Sequence, residues 1–197
     1  MTTFAPTLYA RTFPRSNARF RDLMLVFSGA IFVTLLAQVK ILLPFTPVPL
    51  TGQTFAVLLV GATLGSKRGA ASMIFYTVLG AFGLPVFAGG ASGMTYLSGA
   101  TLGYLVGFVV AAYLAGMLAE RGLERNLRTS LLPFIVGTLV VYLFGAGWLA
   151  MLFGVEKTLV LGVLPFLIGD VIKMILAALA LPVAWKLVRE EGASHLK

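Results

Sequence analysis

The chain lacks cysteine, has a single histidine and carries little charge for its length. Without cysteine there is neither a disulfide nor a thiolate metal ligand. The one histidine, His195, stands in the terminal stretch EEGASHLK, so no imidazole lies within the apolar sequence to bind a metal or act as a base. Paired carboxylates are missing too, and nothing supplies the activated nucleophile and adjacent base that an intramembrane hydrolase needs. Charged residues make up 11% of the chain, against about 25% in soluble domains. No solvated exterior can be built from that balance, so most of the surface faces hydrocarbon. The net charge of +8 sits in short clusters between apolar runs. That arrangement speaks for orientation in a bilayer and against a nucleic-acid face.

What the chain does have is long apolar runs. Crossing a ~30 Å hydrocarbon core takes about 20 apolar residues as helix, and six candidate spans follow one another at 23–43, 50–65, 69–84, 97–119, 131–154 and 159–186. An all-α membrane protein of six transmembrane helices is therefore expected. It has a cytoplasmic amino-terminal arm (1–21), one bundle domain (22–190) and a cytoplasmic tail (191–197). The arm holds Arg11, Arg15, Arg19 and Arg21 without an apolar core ahead of a small-residue cleavage site. It reads as an unstructured segment against the lipid, and not as a cleavable leader.

Lysine and arginine set the direction. With six spans, twelve of the fifteen fall on one side: the arm, Lys67 and Arg68, then Arg121, Arg125 and Arg128, and Lys186, Arg189 and Lys197 at the carboxyl end. Lys40 and Lys157 fall on the other, and Lys173 lies within the membrane. An odd number of spans breaks this segregation, so both termini are expected in the cytoplasm of a multi-pass protein in the cell membrane.

Spans 50–65 and 69–84 are sixteen residues each, about 24 Å as helix and short of the membrane. Irregular backbone at depth is tolerated where it is buried or lines a cavity. The outer connector GLPVFAGGASGMTYLSGATLGYL (83–105) is apolar, uncharged and rich in glycine. It is expected to dip back into the bundle as a re-entrant lid.

Three constellations can hold a ligand. Asp170 and Lys173 in LPFLIGDVIKMILAALALP (164–182) lie three residues apart on one helix face with Phe166, Gly169, Ala177 and Ala180. Leu167, Val171, Ile172, Ile175 and Leu179 point elsewhere. Each charge costs roughly 3 kcal/mol in a bilayer, so a partner is required, either a ligand or a neighbouring helix. TPVPLTGQTF (46–55) places Thr51, Gln53 and Thr54 in the outer part of a span. Gln53, donor and acceptor at once, suits an amide or urea group, or an interhelical hydrogen bond. Tyr76, Phe87, Gly90, Tyr96 and Tyr104 lie in or beside the glycine-rich loop; such tyrosines touch ligand or anchor the interface. GATLGSK (61–67) lacks the G-x-x-x-x-G-K-[ST] spacing of a phosphate loop, so no nucleotide site is expected.

TPVPLTGQTFAVLLVGATLGSKRGA, YTVLGAFGLPVFAGGASG, SGATLGYLVGF and IGDVIK occur in order and at the spacing of the BioY family, over residues 45–175. The chain thus resembles the biotin-specific substrate-binding (S) components of energy-coupling factor (ECF) transporters. The resemblance implies the six-helix S-component fold and capture of biotin from outside for ATP-driven uptake. It also implies partnership with a transmembrane T component and two ATPases, a biotin site containing Asp170 and Lys173, and cover from the loop after the third span. Where family members read G-P-T-G-G-Y, this chain has Gly99-Ala100-Thr101-Leu102-Gly103-Tyr104, and Ala88-Gly89-Gly90 stand where some place an asparagine. Small residues of the first span pack against the T component in the family. Ala30 and Thr34 form a small-x-x-x-small pair that serves such a contact or the bundle's own packing. An S component for another vitamin and a stand-alone proton-coupled carrier using Asp170 are the alternatives. The chain working alone, as a homo-oligomer or only in the full complex remains open.

Overall fold

The computed structural model describes residues 3–13 and 17–194, with side chains omitted at Arg11 and from 187 onward. Arg15, His195 and Lys197 lie outside the described residues, as does the side chain of Arg189. The elements are α1 (Phe4–Thr12), α2 (Ala18–Gln38), a hairpin of β1 (Lys40–Ile41) and β2 (Leu50–Thr51), α3 (Gln53–Leu64), α4 (Ser66–Ala81), α5 (Met94–Leu97), α6 (Leu102–Glu120), α7 (Leu131–Phe153), α8 (Val155–Thr158) and α9 (Leu164–Ser194). Six of these, α2, α3, α4, α6, α7 and α9, form the bundle expected from the hydropathy. The segments holding α2, α6, α7 and α9 are long and apolar enough to cross a membrane, while α3 is a shorter apolar helix.

Several boundaries move, for physical reasons. The first span was expected at 23–43, but α2 runs Ala18–Gln38. It begins where the Asn17 side chain accepts a hydrogen bond from the Arg19 amide at 2.9 Å, satisfying a donor with no partner within the helix. It ends five residues early because Lys40–Ile41 pairs antiparallel with Leu50–Thr51. The second span therefore enters as extended chain and is helical only from Gln53, and it is here that the short second span becomes irregular backbone. The arm also departs from expectation. Residues 4–12 are helical, with Thr3 buried and Phe4 edge-on to Trp185 at 5.5 Å. At the other end, 191–194 continue α9.

One residue, Gly65, separates α3 from α4, and its φ of +89° is a value side chains with a Cβ rarely adopt. The Glu120 carboxylate at the end of α6 accepts from the Ser66 amide at 2.8 Å and the Ser66 hydroxyl at 3.0 Å. An anion thus caps the amino end of α4, where the helix dipole favours it. A Cβ on Gly61 would lie 2.5 Å from the Ala112 carbonyl oxygen, so α3 and α6 pack backbone to backbone, as small residues allow in membranes.

Pro182 lies inside α9 and Pro165 in its first turn, and the carbonyl four residues before each accepts from a hydroxyl. Pro182 cannot donate to the Ala178 carbonyl, which accepts from Ser130 Oγ at 2.8 Å. Pro165 leaves the Leu161 carbonyl likewise, and Thr46 of the hairpin donates to it. Between α8 and α9 the chain takes a π-helical turn, Leu159–Val163. Tyr104 donates to its Gly162 carbonyl at 2.6 Å.

The helix α1, the basic connectors and the end of α9 gather at one end of the bundle. Arg68 pairs with Asp22 at 2.9 Å. The Arg125 guanidinium lies 4.4 Å from the Trp185 ring centroid, and Trp185 donates to Glu124 at 3.1 Å. Glu124 is fully buried, one of its oxygens has no partner, and burial pushes its carboxyl pKa up.

Candidate functional site

At the opposite end, the loop 83–101 and the hairpin close over a cavity among α3, α6, α7 and α9. The loop folds onto the bundle through Phe87. This side chain is fully buried, stacked on Tyr96 at 4.9 Å and edge-on to Tyr76 at 5.5 Å. The Gly93 amide donates to Gly80, and Trp148 Nε1 to the Gly99 carbonyl at 3.0 Å. Gln38 reaches the Phe87 carbonyl, and the Lys40 side chain lies across Gly89. An exposed, independent loop has no such contacts; this one packs onto the bundle.

The cavity has a volume of about 40 Å³. It is a narrow slot, tighter than the ~300–1,000 Å³ typical of small-molecule sites. Its walls are apolar and aromatic, from Leu50, Tyr96, Tyr104, Phe108 and Phe166 among others. At its charged end are Asp170 and Lys173.

Asp170 is 5% exposed and lies 2.9 Å from Lys173 Nζ on the same helix. Across the slot, Thr54 Oγ1 donates to Asp170 Oδ1 at 3.0 Å and Tyr142 of α7 donates to Oδ2 at 2.6 Å. Lys173 also donates to the Thr51 carbonyl at 2.8 Å and to Thr54 Oγ1 at 3.1 Å. The pair therefore joins α9 to the start of α3 and to the middle of α7, and lines the cavity as well. The two expected roles, interhelical lock and cavity wall, coexist. The face of α9 matches the sequence reading at Phe166 and Ala177, which are buried, and at Leu167, Val171, Ile172, Ile175 and Leu179, which are exposed. Ala180 departs from it by lying on the exposed side.

Of the other expected site residues, Thr51, Gln53 and Tyr104 line the cavity. Gln53 Oε1 accepts from Thr51 Oγ1 at 2.9 Å, and its Nε2 donates to Tyr76 at 2.7 Å. Tyr76 and Phe87 stand behind the wall, Tyr76 holding Gln53 and Phe87 supporting Tyr96. Gly90 is a correction: it is exposed, with φ +80° and open space around it, and it serves the turn instead of the cavity. Ala30 is another. It is 1% exposed and the half-buried Thr34 bonds back to its carbonyl at 2.9 Å, so Ala30 packs the bundle.

Tyr142 escaped the sequence reading. The signal was its place: membrane tyrosines favour the interfaces, yet this one sits midway along α7, where a hydroxyl needs a buried partner.

A family model, that of the BioY family, matches residues 11–190. The chain belongs to the BioY family. It is 39% identical over 142 residues to the "Biotin transporter BioY" of Rhizobium etli, covering 68% of this chain and 76% of that protein. It is 44% identical over 126 residues to the "Probable biotin transporter BioY" of Pyrococcus horikoshii, covering 64% and 74%. The fold superposes with a TM-score of 0.78 and 26% identity on a crystal structure of the S-component for biotin from an ECF-type ABC transporter, covering 87% of this chain and 94% of that one. Family membership makes this a multi-pass membrane transport subunit and not an enzyme.

Proposed function

We propose that this BioY-family chain captures biotin and carries it across the membrane as the substrate-binding subunit of an ECF transporter. The observation that carries the reading is the slot itself, an aromatic-walled cavity ending in the Asp170–Lys173 pair beside Gln53. Biotin presents the complement: a ureido head with two N–H donors and one carbonyl, an apolar thioether ring and an acidic tail. Asp170, neutralised by Lys173, accepts from a ureido N–H, Gln53 donates to the ureido carbonyl, and Tyr96, Tyr104 and Phe166 enclose the rings. Charge-assisted hydrogen bonds in a dry slot are strong and selective.

Energy for uptake comes from outside this chain, from a transmembrane T component and two ATPases, since no phosphate-binding loop is recognisable in the sequence. The end gathering α1, the basic connectors and the end of α9 faces the cytoplasm, and the slot opens outward. Thermal unfolding of the detergent-purified protein tests the reading. Biotin raises the melting temperature, while thiamine and riboflavin do not; equal protection by all three, or by none, refutes it.

A further inference from the structure

A carboxylate accepts about four hydrogen bonds, two at each oxygen. Asp170 Oδ1 already has two, from Thr54 and from Lys173. Oδ2 has one, from Tyr142. Lys173 is fully engaged as well, because Thr51, Thr54 and Asp170 take its three N–H donors. The Tyr104 hydroxyl is turned to Gly162. The charged end of the slot therefore offers a ligand one open acceptor, the second lone pair of Asp170 Oδ2. Rotation about the last torsion of an aspartate is soft, and Thr54 and Lys173 hold only Oδ1. The donor that fixes the other oxygen comes from a different helix, α7.

We infer that Tyr142 is a positioning residue for biotin: its hydroxyl occupies one lone pair of Asp170 Oδ2 and aims the remaining one at a ureido N–H. The inference rests on the biotin reading above. Tyr142 lines the slot itself, so Tyr142→Phe keeps the aromatic wall and removes only the donor.

The test crosses that variant with the ligand. Calorimetry is run on wild type and Tyr142→Phe with biotin and with its cyclic-carbonate isostere, in which oxygen replaces both ureido N–H groups. Loss of aim lowers biotin affinity at least tenfold and affinity for the isostere less than threefold. Equal losses for the two ligands, or none for biotin, overturn the inference, because a merely structural role weakens both alike. Infrared spectroscopy of the ligand-free protein separates this failure from failure of the biotin reading. The Asp170 carboxylate band, isolated by subtracting the Asp170→Asn spectrum, shifts in Tyr142→Phe whatever the ligand is. A band that stays in place refutes the assigned role of the tyrosine even if wild type binds biotin well.

Discussion

Removal of the Lys173 ammonium is the most informative single perturbation, because the group joins two helices and neutralises a buried charge. In Lys173→Met the stem volume is kept, while the bonds to Thr51, Thr54 and Asp170 are lost. Asp170, 5% exposed, is left as a buried charge held only by two hydroxyls. Breaking a buried pair from one side costs about 3–5 kcal/mol. Replacing both members by uncharged residues of similar size removes the unpaired charge and is often close to neutral. The single variant is therefore expected to melt well below wild type in detergent, and Asp170→Asn/Lys173→Met is expected to recover much of that loss. Binding behaves differently. Without the ammonium the Asp170 carboxylate is no longer held for the ligand. A hydrogen bond to a charged group is worth about 1.5–3 kcal/mol, or roughly 10- to 150-fold in Kd. The double variant does not regain it, because a neutral amide oxygen replaces the charged acceptor. Thermal melts and calorimetry against biotin follow the two quantities separately. A double variant no more stable than the single, or either variant binding biotin like wild type, refutes the reasoning.

Ser130→Ala leaves the Ala178 carbonyl freed by Pro182 without its hydroxyl, and a buried orphan acceptor costs about 1–3 kcal/mol. The melting temperature falls while biotin affinity stays within twofold, the residue being at the end of the bundle away from the slot. Glu124 carries a pH dependence. Its carboxyl pKa is raised above 4.5 by burial, so the folded protein binds that proton more tightly than the unfolded chain. Its stabilising contribution is present below pH 4.5 and disappears as pH rises through the raised value. Melts across that window show wild type gaining stability with acid, a gain that Glu124→Gln lacks. The absence of cysteine makes topology easy to read. In intact cells a membrane-impermeant maleimide labels Ser92→Cys in the outer loop and leaves Arg121→Cys untouched; the reverse pattern refutes the orientation. Gly61→Leu, forced against the Ala112 backbone, separates α3 from α6 and abolishes a cooperative melt.

The sequence by itself determined that the chain lives in a membrane, that six segments build it, and that α9 carries a charge pair needing a partner. These are one-dimensional properties, since hydropathy, span length and the placing of Lys and Arg survive any arrangement of the helices. The face of α9 was also legible, because two charges mark it. On the uncharged helices no such mark exists. Lipid is as apolar as the bundle core, so hydrophobic periodicity does not tell an inward face from an outward one. That is why Ala30 was left between a partner contact and the bundle's own packing, and why Gly90 was assigned to the cavity and lies outside it. It is also why Tyr142, in the middle of an apolar run, gave no hint of reaching Asp170. Only the tertiary structure brought α7 and the extended start of α3 against α9, and so decided which atoms of the pair remain open to a ligand.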